Sequence, residues 1–433
     1  MQSNCREAIP DFWPSASALS PIFSAPILIH KPPLLQSLVS VVVPVRDEAE
    51  TLDTTLAALV DQVDFEGRPL PPRHYEVIVF TNNCVDESAA IVRQFARQHP
   101  EHQIHLIDQT LPPEEACIGR VRQILMDEAY RRRCWVAQPR GIIASTDGDS
   151  RVDRQWIAAM LHEFERGADA VGGRTVTQRA ERNALDAQTR ATYLRFVGYR
   201  YLIKQLEDCL DPDPFDCPPR HYQFFGANFA LTHEMYALVG GLTPLPTGED
   251  VALHKALLAF GAKVRHSFLM RVTTSARQQG RATLGLADRL AQFQQLSQHQ
   301  QVFLVEPGAA VEAKLRARRD LCRYWRHYST DQPVRPSLAS LATRLAVPIT
   351  MLQQAIEQSS SPGELYQQID QHQQAAGLWQ RQWGTVAIDK AIADLRLRLY
   401  RLRQQAPVAA GRPLSLEAAP SVAHVGRSYR SSR

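Results

Sequence analysis

Four short apolar runs, each followed by a stretch with helical spacing, set the strongest limit on what this chain can fold into. "LVSVVVP" (38–44), "YEVIVF" (75–80), "QIHLI" (103–107) and "GIIAST" (141–146) are bounded by polar or turn residues and rich in Val and Ile, which suits buried strands. Between them, 48–62 places Leu52, Leu56 and Leu59 on one helical face, continued by Val63 just after it, and 87–98 and 118–133 repeat that periodicity. Repeated βα units predict an α/β domain with a mostly parallel sheet flanked by helices. Its ligand crevice is expected at the carboxyl ends of the strands.

Further along, 154–167 reads as a helix, 168–176 as a strand and 183–210 as a long helical stretch. "FFGANFALT" precedes a Gly-Gly turn at 240–241, and "GEDVALHKALLAFGAKV" reads as a helix followed by a short strand. Residues 1–36 form a Pro/Ser-rich extended arm, 37–290 the α/β core, and 291–405 a Gln-rich helical region. The Ala/Pro/Ser/Arg-rich stretch 406–433 is expected to be a disordered tail.

A 44% hydrophobic, 22% charged composition excludes a fibrous chain, and a net charge of +4 is too weak to imply a nucleic-acid partner. Seven cysteines without a Cys-x-x-Cys pair imply neither a disulfide framework nor a zinc knuckle. Acids and prolines at the N-terminus do not match a signal peptide. No segment approaches the roughly 20 apolar residues of a spanning helix. A cytoplasmic location is expected, with any membrane contact peripheral.

"TDGDS" (146–150) follows the fourth strand and aims Asp147 and Asp149 at the crevice rim. Two carboxylates around a glycine suit one hard divalent cation, Mg²⁺ or Mn²⁺, completed by water and substrate phosphates. Asp211-Pro212-Asp213 has the same spacing in a Pro-rich loop, where a turn or cap is the simpler role. An EF-hand is excluded because Arg151, Val152 and Ala158 stand where that loop needs an oxygen ligand, a glycine and an acid.

"VVVPVRDEAETL", "TNNCVDESAA", "GRVRQIL", "TDGDS", "GANFALT" and "TGEDVALHKALLAFG" together resemble the family 2 glycosyltransferases with the GT-A fold, over about residues 38–282. The resemblance implies that Pro44, Arg46, Glu48, Asn82 and Asp86 line the site of a nucleoside-diphosphate sugar donor. It makes Asp147 and Asp149 the metal and diphosphate ligands. Gly226, Ala227 and Asn228 correspond to the acceptor-side loop, and Glu249-Asp250 to the family's acidic pair. In inverting members one acid of this pair is the general base; Asp250 is the first choice and Glu249 the second. The acceptor, a glycan, lipid or small molecule, is not named by any motif.

Some positions depart from the family pattern. Asn82 stands where many relatives carry a base-contacting Asp, Arg46-Asp47 replaces a frequent Tyr-Asn, and a Gln-x-x-Arg-Trp box is absent. Arg46 is expected to meet either a phosphate or a surface acid. Arg122 lies where relatives direct an arginine to the nucleotide. Arg277 and Arg281 are candidate diphosphate clamps, since guanidinium forks fit phosphate oxygens. His254 and His266 are set aside as structural, and Cys84 as packing.

"KLRARRDLCRYWRHY" (314–328) is a basic amphipathic helix, with Ala317, Leu321, Tyr324, Trp325 and Tyr328 opposite Arg316, Arg319, Arg323 and Arg326. Docking on the core is favoured over a membrane-surface contact. Residues 337–356 have helix-turn-helix spacing, which would suit a nucleic-acid-binding regulator. The second helix carries no Lys or Arg, so a packed hairpin is favoured. A non-catalytic nucleotide-sugar binder is the remaining alternative.

Overall fold

The computed structural model describes residues 26–136, 141–278, 280, 285–327 and 337–405. The expected βα units form in order: β1 (Val39–Val45), α1 (Ala49–Val60), β2 (Tyr75–Asn82), α2 (Ser88–Gln98), β3 (Gln103–Gln109), α3 (Ile118–Val136) and β4 (Ile142–Ser145). Next come β5 (Ser150–Val152), α4 (Trp156–Glu165), β6 (Ala170–Thr177), α5 (Arg179–Ala184), α6 (Ala187–Leu210) and β7 (Phe229–Thr232). α7 (His233–Leu238), α8 (Glu249–Ala259), β8 (Val264–Thr274) and α9 (Leu286–Gln298) follow.

The eight strands make one sheet in the order β3-β2-β1-β4-β7-β6-β8-β5. β3, β2, β1 and β4 are mutually parallel, β7 runs antiparallel between β4 and β6, and β8 is parallel to β6. Alternate residues face opposite ways, so each strand feeds two cores. Val39, Val41, Val43 and Val45 pack with Leu52, Leu56 and Leu59 of α1, Phe95 of α2 and Trp156 of α4. On the other face Val42, Ile78 and Ile143 pack with Val121 and Leu125 of α3, Tyr236 of α7 and Leu253 of α8. Cover on both faces explains why these strands read as continuous apolar runs.

Local detail goes beyond or departs from the expectations. The long helical stretch over 183–210 holds two helices, parted at Leu185, with Asp186 accepting a bond from the Thr189 N–H to cap α6. The strand after α8 is eleven residues long rather than short, and a register shift between Gly173 and Arg174 lets it follow β6 throughout. β5, which escaped notice, pairs antiparallel with the far end of β8, so the turn carrying Asp147 and Asp149 is anchored at both sides.

The C-terminal helices are α10 (Gly308–His327), α11 (Leu338–Leu345), α12 (Ile349–Gln358), α13 (Pro362–Ala376), α14 (Leu378–Trp383) and α15 (Ile388–Gln405). β9 (Leu304–Val305) and β10 (Val386–Ala387) form a small ribbon beside them. The helix-turn-helix-like segment packs as a hairpin: Leu341, Leu345, Leu352 and Ile356 share a core with Leu321, Leu365 and Ile369. In α10 the apolar side faces that core, Arg316 pairs with Glu312 and Arg319 with Asp320, and Arg323 and Arg326 are exposed. Tyr328, the tail 406–433 and the first part of the arm lie outside the described residues. Among the described residues no helix is long and apolar enough to cross a membrane.

Candidate active site

The site is built where β1, β2 and β4 end. The chain leaves β4 at Ser145 and turns through Asp147-Gly148-Asp149 into β5. A Cβ on Gly148 would stand 3.0 Å from Val45 and 3.4 Å from Glu48, so a side chain there would push the turn off the end of β1. The hydroxyls of Thr51 and Thr55 on α1 donate to the Gly148 carbonyl at 3.3 and 2.9 Å and fix the turn's height.

Arg122, buried on α3, is the hub. It donates to Asp147 Oδ1 at 2.6 Å, to Ser145 Oγ at 3.2 Å and to the Glu249 carboxylate. Ser145 Oγ donates in turn to the Gly226 carbonyl at 2.7 Å, and the Gly226 N–H donates to Asp250 Oδ2 at 2.7 Å. A Cβ on Gly226 would lie 2.6 Å from the Arg122 guanidinium, so the close approach requires glycine. Strand β4, the 226 loop and the start of α8 are thereby joined through one cation.

A second guanidinium closes the other side. Arg277 donates to both oxygens of Glu48, at 2.7 and 2.5 Å, and lies 3.2 Å from Asp149 Oδ2. Asp149 Oδ1 is 3.4 Å from the Thr274 hydroxyl at the end of β8. Ser145, Thr51, Thr55 and Thr274 escape sequence reasoning because single hydroxyls carry no spacing signal. Thr51 lies within a quoted motif and Ser145 adjoins one.

Charge in this crevice is unbalanced. The five carboxylates of Glu48, Asp147, Asp149, Glu249 and Asp250 meet the two guanidinium groups of Arg122 and Arg277. Burial raises the proton affinities of Asp147, Asp149 and Glu249; the arginines oppose that rise, and neighbouring carboxylates add to it. Burial works against the charge on Arg122, yet Asp147, Glu249 and Asp250 hold its proton more firmly than usual. Two hard carboxylates in an acidic crevice fit Mg²⁺ or Mn²⁺, ions that take one or two protein carboxylates and complete their shell with water and phosphate oxygens. Among the described residues a grouping of three potential ligand residues lies at Asp47, Cys84 and Asp86.

Beside the turn, Asn82 ends β2 with its side chain buried, and its Oδ1 has no hydrogen-bond partner among the described residues. Asn83, at φ +51°, exchanges two 2.9 Å bonds with the Leu111 backbone and braces this loop. Pro44 is buried on β1 opposite Phe80.

Several expected site residues have structural duties. Asp86 accepts from the Ala49 and Ser88 N–H groups at 2.9 and 3.0 Å and ties together the starts of α1 and α2. Asn228 is wholly buried: Oδ1 accepts from Trp156 Nε1 at 2.8 Å and Nδ2 donates to the Met270 carbonyl at 3.2 Å. Those two bonds turn the Asn228 amide inward, so that it braces the 226 loop from beneath. Ala227 is also buried.

Arg46 is exposed and donates to the Ala116 carbonyl at 3.4 Å. Arg281 lies outside the described residues. Cys84 accepts from the Asp47 N–H at 3.3 Å, and burial raises its thiol pKa, which suits packing. In the second Asp-x-Asp, Asp213 accepts from Phe215 and Asp216 N–H groups while Asp211 pairs with Arg318. Both His254 and His266 are buried, and His266 Nδ1 bonds the Asp216 carboxylate at 2.7 Å.

Residues 40–225 match the family model described as Glycosyl transferase family 2. The match falls on the stretch that carries most of the quoted motifs, and the mixed sheet flanked by helices is the architecture those motifs imply. The chain is similar to Glycosyltransferase AglE of Haloferax volcanii, 29% identical over 137 residues, covering 31% of this chain and 38% of that protein's length. It is also similar to the structure of the mannosyltransferase PcManGT from Pyrobaculum calidifontis in complex with GDP-Man and Mn²⁺. That likeness has 15% identity, coverage of 89% of this chain and 92% of the other, and a TM-score of 0.39. A third is S. aureus TarS 1-349 in complex with UDP-GlcNAc, with 11% identity, 78% and 92% coverage, and a TM-score of 0.41.

Proposed function

We propose that this chain moves a sugar from a nucleoside diphosphate to an acceptor hydroxyl, with inversion and with a divalent cation, Mg²⁺ or Mn²⁺. The observation that carries this reading is the convergence of Asp147, Glu249 and Asp250 on Arg122, with Asp149 beside Arg277, at the edge of the stretch that matches the family 2 model.

Asp147 and Asp149 would hold the cation, which supplies Lewis-acid stabilisation of the charge on a departing diphosphate. Arg277, beside Asp149, offers a guanidinium fork to the same phosphate oxygens. Asn82 supports base recognition, because its amide both donates and accepts and its Oδ1 has no protein partner among the described residues. The base identity follows the hydrogen-bonding edge that satisfies this amide.

Asp250 is the favoured proton acceptor. Glu249 is buried and committed to Arg122, whereas Asp250 is half-buried and keeps acceptor capacity beyond its bonds to the Gly226 and Val251 N–H groups. As the acceptor oxygen bonds to the anomeric carbon its proton acidifies, so a positioned carboxylate of modest basicity is sufficient. Inversion follows the family resemblance, since a single displacement needs one such base and no enzyme nucleophile.

The deciding measurement is a thermal-shift screen of UDP, GDP and their sugars with and without Mn²⁺. Stabilisation by at least one nucleotide, larger with Mn²⁺, is expected. Identical melting with every nucleotide, metal present or absent, overturns the reading.

A further inference from the structure

Arg174 and Arg200 differ from the arginines that serve the acidic crevice: neither is paired with a carboxylate among the described residues, and both are held against aromatic faces. Arg174, half-buried on β6, lies with its Cζ 5.4 Å from the Phe268 ring centroid. Its Nε is buried without a hydrogen-bond partner among the described residues. Arg200, exposed on α6, lies 4.9 Å over Tyr222. An aromatic face holds a guanidinium in place while leaving N–H groups for other partners, and Arg174 also lies within hydrogen-bonding reach of the Tyr201 hydroxyl.

The rings beneath them are continuous with the reacting end of the site. Tyr201 meets Tyr222 edge-on at 5.2 Å and stacks along Phe268 at 6.3 Å, while Tyr222 meets Phe225 at 6.4 Å. Phe225 is 38% exposed and directly precedes Gly226, whose N–H is bonded to Asp250. Gln223 stitches this segment to β6, exchanging 2.9 Å bonds with the Thr175 backbone. Thr175 Oγ1 is a second buried atom without a partner among the described residues. One surface therefore runs from the carboxylate of Asp250 across Phe225 and Tyr222 to two guanidinium groups that lack an anion.

We propose that this surface is the acceptor subsite and that it takes a sugar ring carrying a phosphate or carboxylate, with the ring on Tyr222 and Phe225 and the anion on Arg174 and Arg200. The proposal rests on the glycosyl-transfer reading and adds the acceptor's chemical class. Aromatic faces bury the apolar face of a sugar, and guanidinium edges match a phosphate or carboxylate bidentately. Opposite polarity at the two ends also orients the ligand. The acid-rich crevice repels the anion while the arginine end attracts it, which turns the acceptor's hydroxyl toward Asp250.

The test uses the full chain, Arg174→Gln, Arg200→Gln and the double variant, with the donor nucleotide found by thermal shift. Transfer of labelled sugar is measured to a hexose 6-phosphate, a hexuronic acid, the neutral methyl hexoside, and a polyprenyl-phosphate hexose in detergent. At least one anionic acceptor is expected to exceed the neutral one by about tenfold, with each glutamine removing most of that preference. The exposed Arg200 provides a variant that does not disturb the fold.

Preference for the soluble phosphate or acid marks a small-molecule source, and preference confined to the polyprenyl phosphate marks a lipid source; both support the proposal. Equal use of neutral and anionic acceptors, no transfer to any anionic acceptor, or a preference unchanged in the double variant overturns it. Nucleotide binding with Mn²⁺ is read in parallel. If it is intact in the double variant while anion preference is absent from the native chain, the acceptor proposal fails and the glycosyl-transfer reading stands. If it is absent from the native chain, the underlying reading fails first.

Discussion

Arg277 donates both of its terminal nitrogens to the carboxylate of Glu48, joining the chain beyond β8 to the start of α1 across 229 residues of sequence. The same guanidinium lies 3.2 Å from Asp149, so it bridges the end of β1 to the acidic turn. A guanidinium held this way is partly buried and fixed beside the proposed diphosphate position. Arg277→Gln is expected to weaken nucleoside diphosphate binding by about tenfold or more, and Arg277→Lys to recover only part of it because a point charge cannot form the fork. Titration of the nucleotide with Mn²⁺ against both variants checks the order. Equal affinity for the glutamine and native chains rules out the clamp.

Arg122 is the structural counterpart of that bridge. Removing it leaves Asp147, Glu249 and Asp250 facing one another without the cation that holds them. Arg122→Met is expected to cost about 3–5 kcal/mol, the range for breaking a buried ion pair by deleting one partner. Chemical denaturation should show this loss, together with lost nucleotide binding. A variant as stable as the native chain excludes the hub role.

The first four βα units were legible in the sequence because their strands are covered on both faces and their helices on one, so burial writes itself as apolar runs and as helical spacing. Position within a motif was likewise enough to bring Asp147, Asp149, Arg122, Glu249 and Asp250 together. Side-chain direction was not legible. Asn228 sits inside the expected acceptor motif, yet its amide turns inward to Trp156, an assignment fixed by packing between β6, β7 and α4. Arg174 and Arg200 were passed over because their distinction is the absence of an acidic partner, which depends on residues distant in sequence. β5 was too short, at three residues, to show a period.

Burial raises the Asp127 pKa to about 6, partly opposed by the Tyr236 hydroxyl that donates to it at 2.6 Å. A folded-state pKa above the unfolded value of 3.8 means the folded protein binds the proton more tightly. Its contribution is therefore harmless below pH 3.8, becomes destabilising as pH rises through 6, and is constant above that. Asp127→Asn keeps an acceptor for Tyr236 and removes the buried charge. It should stabilise the chain by about 1–3 kcal/mol at pH 8 and by almost nothing near pH 3.5. Urea denaturation at the two pH values checks the sign, and a variant less stable at pH 8 contradicts it.

The C-terminal helices are fastened to the core by Arg318 on α10, which meets Glu207 at 2.7 Å and Asp211 at 2.8 Å on and just after α6. Although burial raises the Glu207 pKa, Arg318 and Lys204 outweigh it and bring the pKa down to about 2. This linkage contributes fully above the unfolded value of 4.5 and is lost as pH falls toward 2. Arg318→Met should reproduce at pH 7 the loosening that acid causes in the native chain. Hydrogen exchange in α10 is expected to accelerate by about tenfold or more, with slower exchange retained in β1 and β2. Unchanged exchange in α10 places the docking energy in the apolar contacts instead.

Two acids in the crevice should separate by their kinetic signatures. Asp149 lies beside Arg277 at the proposed diphosphate position, whereas Asp250 is tied to the Gly226 loop on the acceptor side. Asp149→Asn removes a full carboxylate from the cation's oxygen donors, so nucleotide affinity in Mn²⁺ should fall by about tenfold or more while affinity without metal changes little. Asp250→Asn keeps the shape and the bond from the Gly226 N–H but cannot take up a proton at neutral pH. Donor affinity should then stay within about twofold and turnover should drop by about 10²–10⁴, the usual worth of a positioned base. Loss of donor binding in both variants assigns Asp250 to the donor site, and turnover retained in Asp250→Asn transfers the role of base to another group, with Glu249→Gln the next variant to measure.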